Sequence, residues 1–212
     1  LINSPVVTKP AVKIQDPPQD HLQPLINLYH QGKLQESLHE VLKLLQLFPN
    51  SVTLYNIQGA TFRGLQQPES AVRSFKKALS IKPDYAEIHY NIGIALHEQG
   101  KLDEALQAYS KALSIKPDYA DACNNMGNVL KDRGQLEESL EAYSKVLSIE
   151  PDYVGAYSNL GNALKEFEFK NQNPDLNQSI TFLLDKKLFV RPIEIARAAI
   201  SLLKFEPILK TH

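Results

Sequence analysis

Ile81-Lys82-Pro83-Asp84-Tyr85-Ala86 returns as Ile115-Lys116-Pro117-Asp118-Tyr119-Ala120, and again, altered, as Ile149-Glu150-Pro151-Asp152-Tyr153-Val154. The interval is 34 residues each time. A fixed interval of this length means that one supersecondary unit is copied and stacked, because so short a unit cannot bury its apolar face alone.

Working outward, one copy carries His89, Ile92-Gly93, Leu96, Ala105, Tyr109 and Pro117, and the next carries Cys123, Met126-Gly127, Leu130, Ser139, Tyr143 and Pro151. Tyr55, Gly59, Phe62, Ala71, Phe75 and Pro83 form an earlier copy, and Gly32, Leu34, Ser37, Val41 and Pro49 a weaker one before it. Tyr157, Leu160-Gly161 and Leu164 open a fifth. This pattern resembles the tetratricopeptide repeat (TPR) family over roughly residues 18–167.

The residues agree with the helical hairpin that the resemblance implies. Ile92 and Leu96, then Leu102, Ala105, Leu106, Tyr109 and Leu113, recur at spacings of three and four, which places them on one stripe of each helix. Gly100 separates the two stripes, Asp103 and Glu104 suit the start of the second helix, and Pro117 prevents its continuation. Gly93 and Ala105 permit close approach of the two backbones, with Tyr109 filling the space between units. First helices are expected near 20–31, 52–65, 86–99, 120–133 and 154–167, and second helices near 34–48, 68–81, 102–115 and 136–149. Pro24 is expected to interrupt the first and Pro68 to start its helix.

The expected fold is an all-α, right-handed superhelical solenoid of antiparallel helix hairpins with C-terminal capping helices. Residues 1–17 read as a flexible or extended arm. Residues 18–167 read as the array, with repeats near 18–51, 52–85, 86–119 and 120–153 and a degenerate fifth from 154. Phe167 to Pro174 lacks the small turn residue, so residues 168–212 read as an irregular loop followed by terminal helices. There Ile193, Ala196, Ile200 and Leu203 face away from Glu194, Arg197, Ser201 and Lys204, as an end cap requires. The same helix would also serve as a dimer contact or as the start of a further domain.

The 212 residues are 43% hydrophobic with a net charge of −1, so no global field favours nucleic acid or anionic membrane. Cys123 is the only cysteine, which rules out an intrachain disulfide and a cysteine zinc site, and its place in the repeat makes it a packing residue. No stretch approaches the ~20 apolar residues of a membrane span, and residues 1–17 lack the apolar core of a signal peptide. A cytoplasmic location is expected. With Leu1 first and an apolar segment last, the chain reads as part of a longer polypeptide.

No nucleophile, base or metal ligand set converges in sequence, so neither enzymatic activity, cofactor nor metal is expected. His21, His30, His39, His89, His97 and His212 are scattered, and His89 occupies the packing position of Cys123 and Tyr157. Gly93 and Gly127 lie within helices and not in phosphate loops.

Asn91, Asn125 and Asn159 recur at the repeat interval and, at about 100° per residue, point nearly opposite the packing stripe. They are expected to form an exposed column. Asn128 and Asn162 form a second, Glu98, Asp132 and Glu166 an acidic one, and Arg63, His97, Lys131 and Lys165 a flank. In the TPR family the first helices line the concave surface, so the resemblance implies that these columns face a groove. Asn125-Met126-Gly127-Asn128 and Ser158 to Asn162 are especially similar to the TPR arrays of protein O-linked N-acetylglucosamine transferases, where a ladder of asparagines holds a peptide backbone. That role falls on Asn91, Asn125 and Asn159; Ile57 and Gln23 depart from it. An amide both donates and accepts, so it can pair with a peptide unit whatever its side chain. The bland alternative is a neutral residue copied by duplication.

The implied function is a scaffold that grips an extended protein or peptide segment, neutral or basic because Glu87, Glu98, Asp121, Asp132 and Glu166 lie on the groove side. The same acids speak against a clamp for acidic tails. The alternatives are a targeting module of a larger enzyme such as a transferase, and a structural array that self-associates through its C-terminal helices.

Overall fold

A computed structural model describes residues 16–164. Among these residues all regular secondary structure is helical: α1 (Gln19–His30), α2 (Leu34–Leu47), α3 (Val52–Gly64), α4 (Pro68–Ile81), α5 (Ala86–Glu98), α6 (Leu102–Ile115), α7 (Ala120–Asp132), α8 (Leu136–Ile149) and α9 (Val154–Leu164). The sequence pattern placed the helices of the first four repeats within two residues of these bounds. The expected loop and capping helices of 168–212 lie outside the described residues, as do residues 1–15.

One local device ends four of the first helices. Gly32, Gly100 and Gly134 adopt φ of 73°, 72° and 75°. In each, the following N–H reaches back to the helix: Lys33 N to Leu28 O at 2.9 Å, Lys101 N to Leu96 O at 3.0 Å, Gln135 N to Leu130 O at 2.9 Å. This satisfies a carbonyl that the helix end leaves open and reverses the chain within a few residues. Gln66 takes the same place after α3 at φ 59°, where an L side chain is strained.

Pro68 does begin α4. Pro24, by contrast, does not interrupt α1, which runs through it. The hydrogen bond it cannot make would end on the carbonyl of Asp20, an exposed first-turn residue, so the break expected from sequence is not enforced.

The Cα packing divides the chain into two compact units, one ending at Ala95 and the other beginning at Leu96. In the first, α1 packs on α2, α2 on α3 and α3 on α4, while α1 also touches α3. Leu22, Leu25, Val41 and Leu54 are buried together, with Leu44, Leu45, Phe48 and Ile57 against them. Ser51 caps α3 by accepting from Leu54 N at 3.0 Å, and Asp16 accepts from the Ser51 hydroxyl and from Thr53 N. In the second unit α6 packs on α7, α7 on α8 and α8 on α9, and α7 also touches α9. Its core includes Ala120, Cys123, Val146 and Ala156, with Leu113, Leu147, Ile149 and Tyr153 around it. Burial pushes the Cys123 thiol up, as expected of a packing residue and not of a reactive one.

Within a hairpin the repeat glycine is a close-approach residue. A methyl group on Gly59 would stand 2.4 Å from Phe75 Cε1, and one on Gly127 2.6 Å from Tyr143 Cε1. Both rings are fully buried, so neither can swing away.

Candidate functional site

The direct contacts α1–α3 and α7–α9 bring successive first helices side by side within each unit. Side chains on these helices therefore meet across repeats. In the first unit Asn56 of α3 sits between Glu87 and Asn91, which are one turn apart on α5. Its Nδ2 donates to Glu87 Oε1 at 3.1 Å, and its Oδ1 accepts from Asn91 Nδ2 at 2.9 Å. In the second unit Asn159 Nδ2 of α9 donates to Asn124 Oδ1 of α7 at 3.0 Å, and Asn124 Nδ2 stands 3.5 Å from Asn125 Oδ1.

These bonds correct the expectation of exposed asparagines. Asn91, Asn125 and Asn159 are half-buried, and two of them spend one N–H on an asparagine of the preceding repeat. Residues one repeat apart on neighbouring helices stand roughly 8–10 Å apart, too far to bond directly. The bond instead joins residues 35 apart in sequence. Asn56 and Asn124 do not stand out at the interval of 34, where they align with Tyr90 and Ser158. Asparagine pairs offset by one residue from the repeat were the signal.

The same offset governs the charged residues. His97 Nε2 lies 2.8 Å from Asp132 Oδ2, again 35 apart, so this member of the acidic column is tied to the flanking column. Asp121 accepts from the Tyr153 hydroxyl at 2.8 Å. Glu98 is exposed and Lys131 half-buried. Lys165 and Glu166 lie outside the described residues.

The second asparagine column divides. Asn162 is exposed, but Asn128 turns into its own hairpin and accepts from the Tyr143 hydroxyl at 2.8 Å. Burial, helped by the charge of Asp132, pushes the Tyr143 phenol well above its ordinary value, so it remains a donor to Asn128. His89 serves structure, as its repeat position implied: its Nε2 lies 2.9 Å from Pro83 O, and Tyr157 donates to Pro151 O at 2.8 Å from the equivalent position.

Among the described residues no group of three or more His, Cys, Asp or Glu side chains could hold a metal ion. No helix there is long and apolar enough to cross a membrane. The first-helix faces place amide groups beside a carboxylate, as Asn56 and Asn91 stand beside Glu87.

No curated protein matches the sequence. Among solved structures, the crystal structure of MamA is 26% identical and covers 76% of this chain and 92% of its own at a TM-score of 0.64. YrrB, described as a TPR protein with an unusual peptide-binding site, is 21% identical over 80% of this chain and 88% of its own, with a TM-score of 0.60. The first TPR of Spaghetti (RPAP3), bound to the HSP90 peptide SRMEEVD, is 20% identical over 53% of this chain and 89% of its own, with a TM-score of 0.52. The family model described as TPR repeat matches residues 59–100, 95–132 and 127–166, which together span half of the sequence. With the copied hairpin, its left-handed turn and its glycine-on-aromatic contact all present, the chain belongs to the tetratricopeptide repeat family.

Proposed function

We propose that this protein is a non-catalytic scaffold whose first-helix faces hold an extended protein or peptide segment, mainly through the segment's backbone. The observation that carries this reading is the set of half-buried asparagines Asn91, Asn125 and Asn159, of which Asn91 and Asn159 each bond to an asparagine of the preceding repeat and Asn125 stands beside Asn124. An amide nitrogen has two hydrogens and its carbonyl two lone pairs, so an asparagine that gives one N–H to a neighbour can still donate and accept once more. Because the neighbour already fixes its orientation, little further ordering is lost when a ligand binds. YrrB and the RPAP3 repeat, whose descriptions name peptide binding, support a peptide as the class of partner.

The expected ligand is neutral or basic. Glu87, Glu98 and Asp132 are exposed on the first helices, and an acidic segment such as SRMEEVD would meet them as like charges. Replacing Asn91, Asn125 and Asn159 together by alanine should leave helical content unchanged. It should weaken a twelve-residue peptide, selected from a random display library on the intact chain, by about 0.5–1.5 kcal/mol per lost hydrogen bond in fluorescence anisotropy. Equal affinity in the triple variant would mark the asparagines as relics of duplication.

A further inference from the structure

Asn56 has two neighbours on α5, and they are chemically unequal. The Glu87 carboxylate can only accept, so Asn56 must turn its Nδ2 toward Glu87 and its Oδ1 toward Asn91. Asn91 must then answer with its own Nδ2, at 2.9 Å. Its carbonyl is thereby directed away from Asn56. In the second unit Asn124, only 7% exposed, likewise accepts from Asn159 Nδ2, so the Asn159 carbonyl is turned the same way relative to its partner. Asn91 and Asn159 are only half-buried, so each remains open to solvent in part.

We propose that Asn56 with Glu87, and Asn124, are positioning residues that fix the amide polarity of Asn91 and Asn159 so that each presents its carbonyl to the ligand and reads a backbone N–H. This rests on the peptide-holding function proposed above and narrows its ligand. The segment must offer main-chain N–H groups where it meets these residues, so a proline-rich segment, which lacks them, is disfavoured. Without the positioning partners the amide could turn over and would meet N–H and C=O groups with equal ease.

Two measurements on the whole chain separate this proposal from the function beneath it. The first needs no ligand: the side-chain amide signals of Asn91 in a ¹⁵N–¹H correlation spectrum. Asn56→Ala removes the acceptor and should move the Asn91 signals toward those of a solvated amide. Asn56→Asp combined with Glu87→Gln keeps an oxygen for Asn91 without setting two carboxylates together, and should preserve them. Loss of packing alone would not distinguish the two variants, and Asn91 signals indifferent to both would overturn the positioning role.

The second uses the display-selected twelve-residue peptide with one backbone N-methyl group placed at each position in turn. At one or two positions methylation should weaken binding roughly three- to tenfold. That penalty should vanish in Asn91→Ala or Asn159→Ala, and should be blunted in Asn56→Ala. A scan with no sensitive position would overturn the N–H reading. Failure of selection to yield any peptide would count against the scaffold function and leave the first result to decide the amide polarity.

Discussion

The hairpins α3–α4 and α7–α8 occupy equivalent places two repeats apart, yet they join their two helices by different polar bonds. In α3–α4 the bond is Ser74 Oγ to Gln58 Oε1 at 2.9 Å, and both residues are buried. The corresponding residues of α7–α8 are Ala142 and Met126, which cannot make it. There the donor stands one residue further along and the acceptor two, at Tyr143 and Asn128, 2.8 Å apart, where α3–α4 has Phe75 and Ala60. Donor and acceptor have come and gone together. Leaving one of them buried alone costs more than the pair contributes, which favours replacing both at once. The glycine against the aromatic ring, in contrast, is the same in both hairpins, since its requirement is steric.

The largest effect should come from that shared feature. Gly59→Ala and Gly127→Ala each drive a methyl group into a buried ring, at 2.4 and 2.6 Å. The better helix propensity of alanine offsets only part of the overpacking, so each should cost up to about 3 kcal/mol in urea unfolding. A gain in stability in either hairpin would break the claim that the contact is common to both.

Next come the paired positions. Tyr143→Phe should cost about 0.5–1.5 kcal/mol, and Phe75→Tyr about 1–3 kcal/mol because its new hydroxyl meets Ala60 and no amide. Adding Ala60→Asn should recover much of the second loss. The pH dependence has a definite sign. The folded state holds the Tyr143 phenol above its ordinary value of 10.0, so the stability it contributes is complete below that pH. It declines as the unfolded chain ionises above it. Tyr143→Phe should flatten this alkaline loss, whereas the native α3–α4 hairpin, with Phe75, contributes none of it.

How the bonds are laid out explains what could be read from sequence. The helices of the repeats, their turns and the glycine-aromatic packing all follow the interval of 34 residues, because each concerns the inside of one unit. Bonds between repeats do not follow it. Asn56 to Asn91, Asn124 to Asn159, His97 to Asp132 and Ser51 to Asp16 all span 35 residues. The columns singled out first-helix asparagines, two of which bond across repeats, but aligning like with like cannot show which unlike residues touch. The partner of Asn128 was hidden for a related reason: it accepts from Tyr143 of its own second helix, and nothing on the first helix announces that.

The turns offer a smaller test. Gln66 follows α3 in the left-handed region where Gly134 follows α7. Gln66→Gly should stabilise the chain by about 1 kcal/mol, relief of the side-chain clash exceeding the entropy that glycine adds to the unfolded state. Gly134→Gln should cost about the same. Nothing lies within 4 Å of a methyl group placed on Gly134, so any loss there reports the backbone alone.

The smallest effect concerns the loops that follow the two hairpins. After α4 the Lys82 ammonium sits 4.4 Å from the centre of the Tyr85 ring, and in the second unit Lys116 sits 4.8 Å from that of Tyr119. After α8 the lysine is replaced by Glu150, and Tyr153 instead donates to Asp121. Glu150→Lys should restore a cation over the ring and stabilise by about 0.5 kcal/mol, the low end expected of an exposed cation–π contact. Because the tyrosine hydroxyl and ring face serve different partners, the gain should persist in Asp121→Asn. If it disappears there, the lysine acts by charge on Asp121 and the loops after α4 and α8 differ in more than one residue's chemistry.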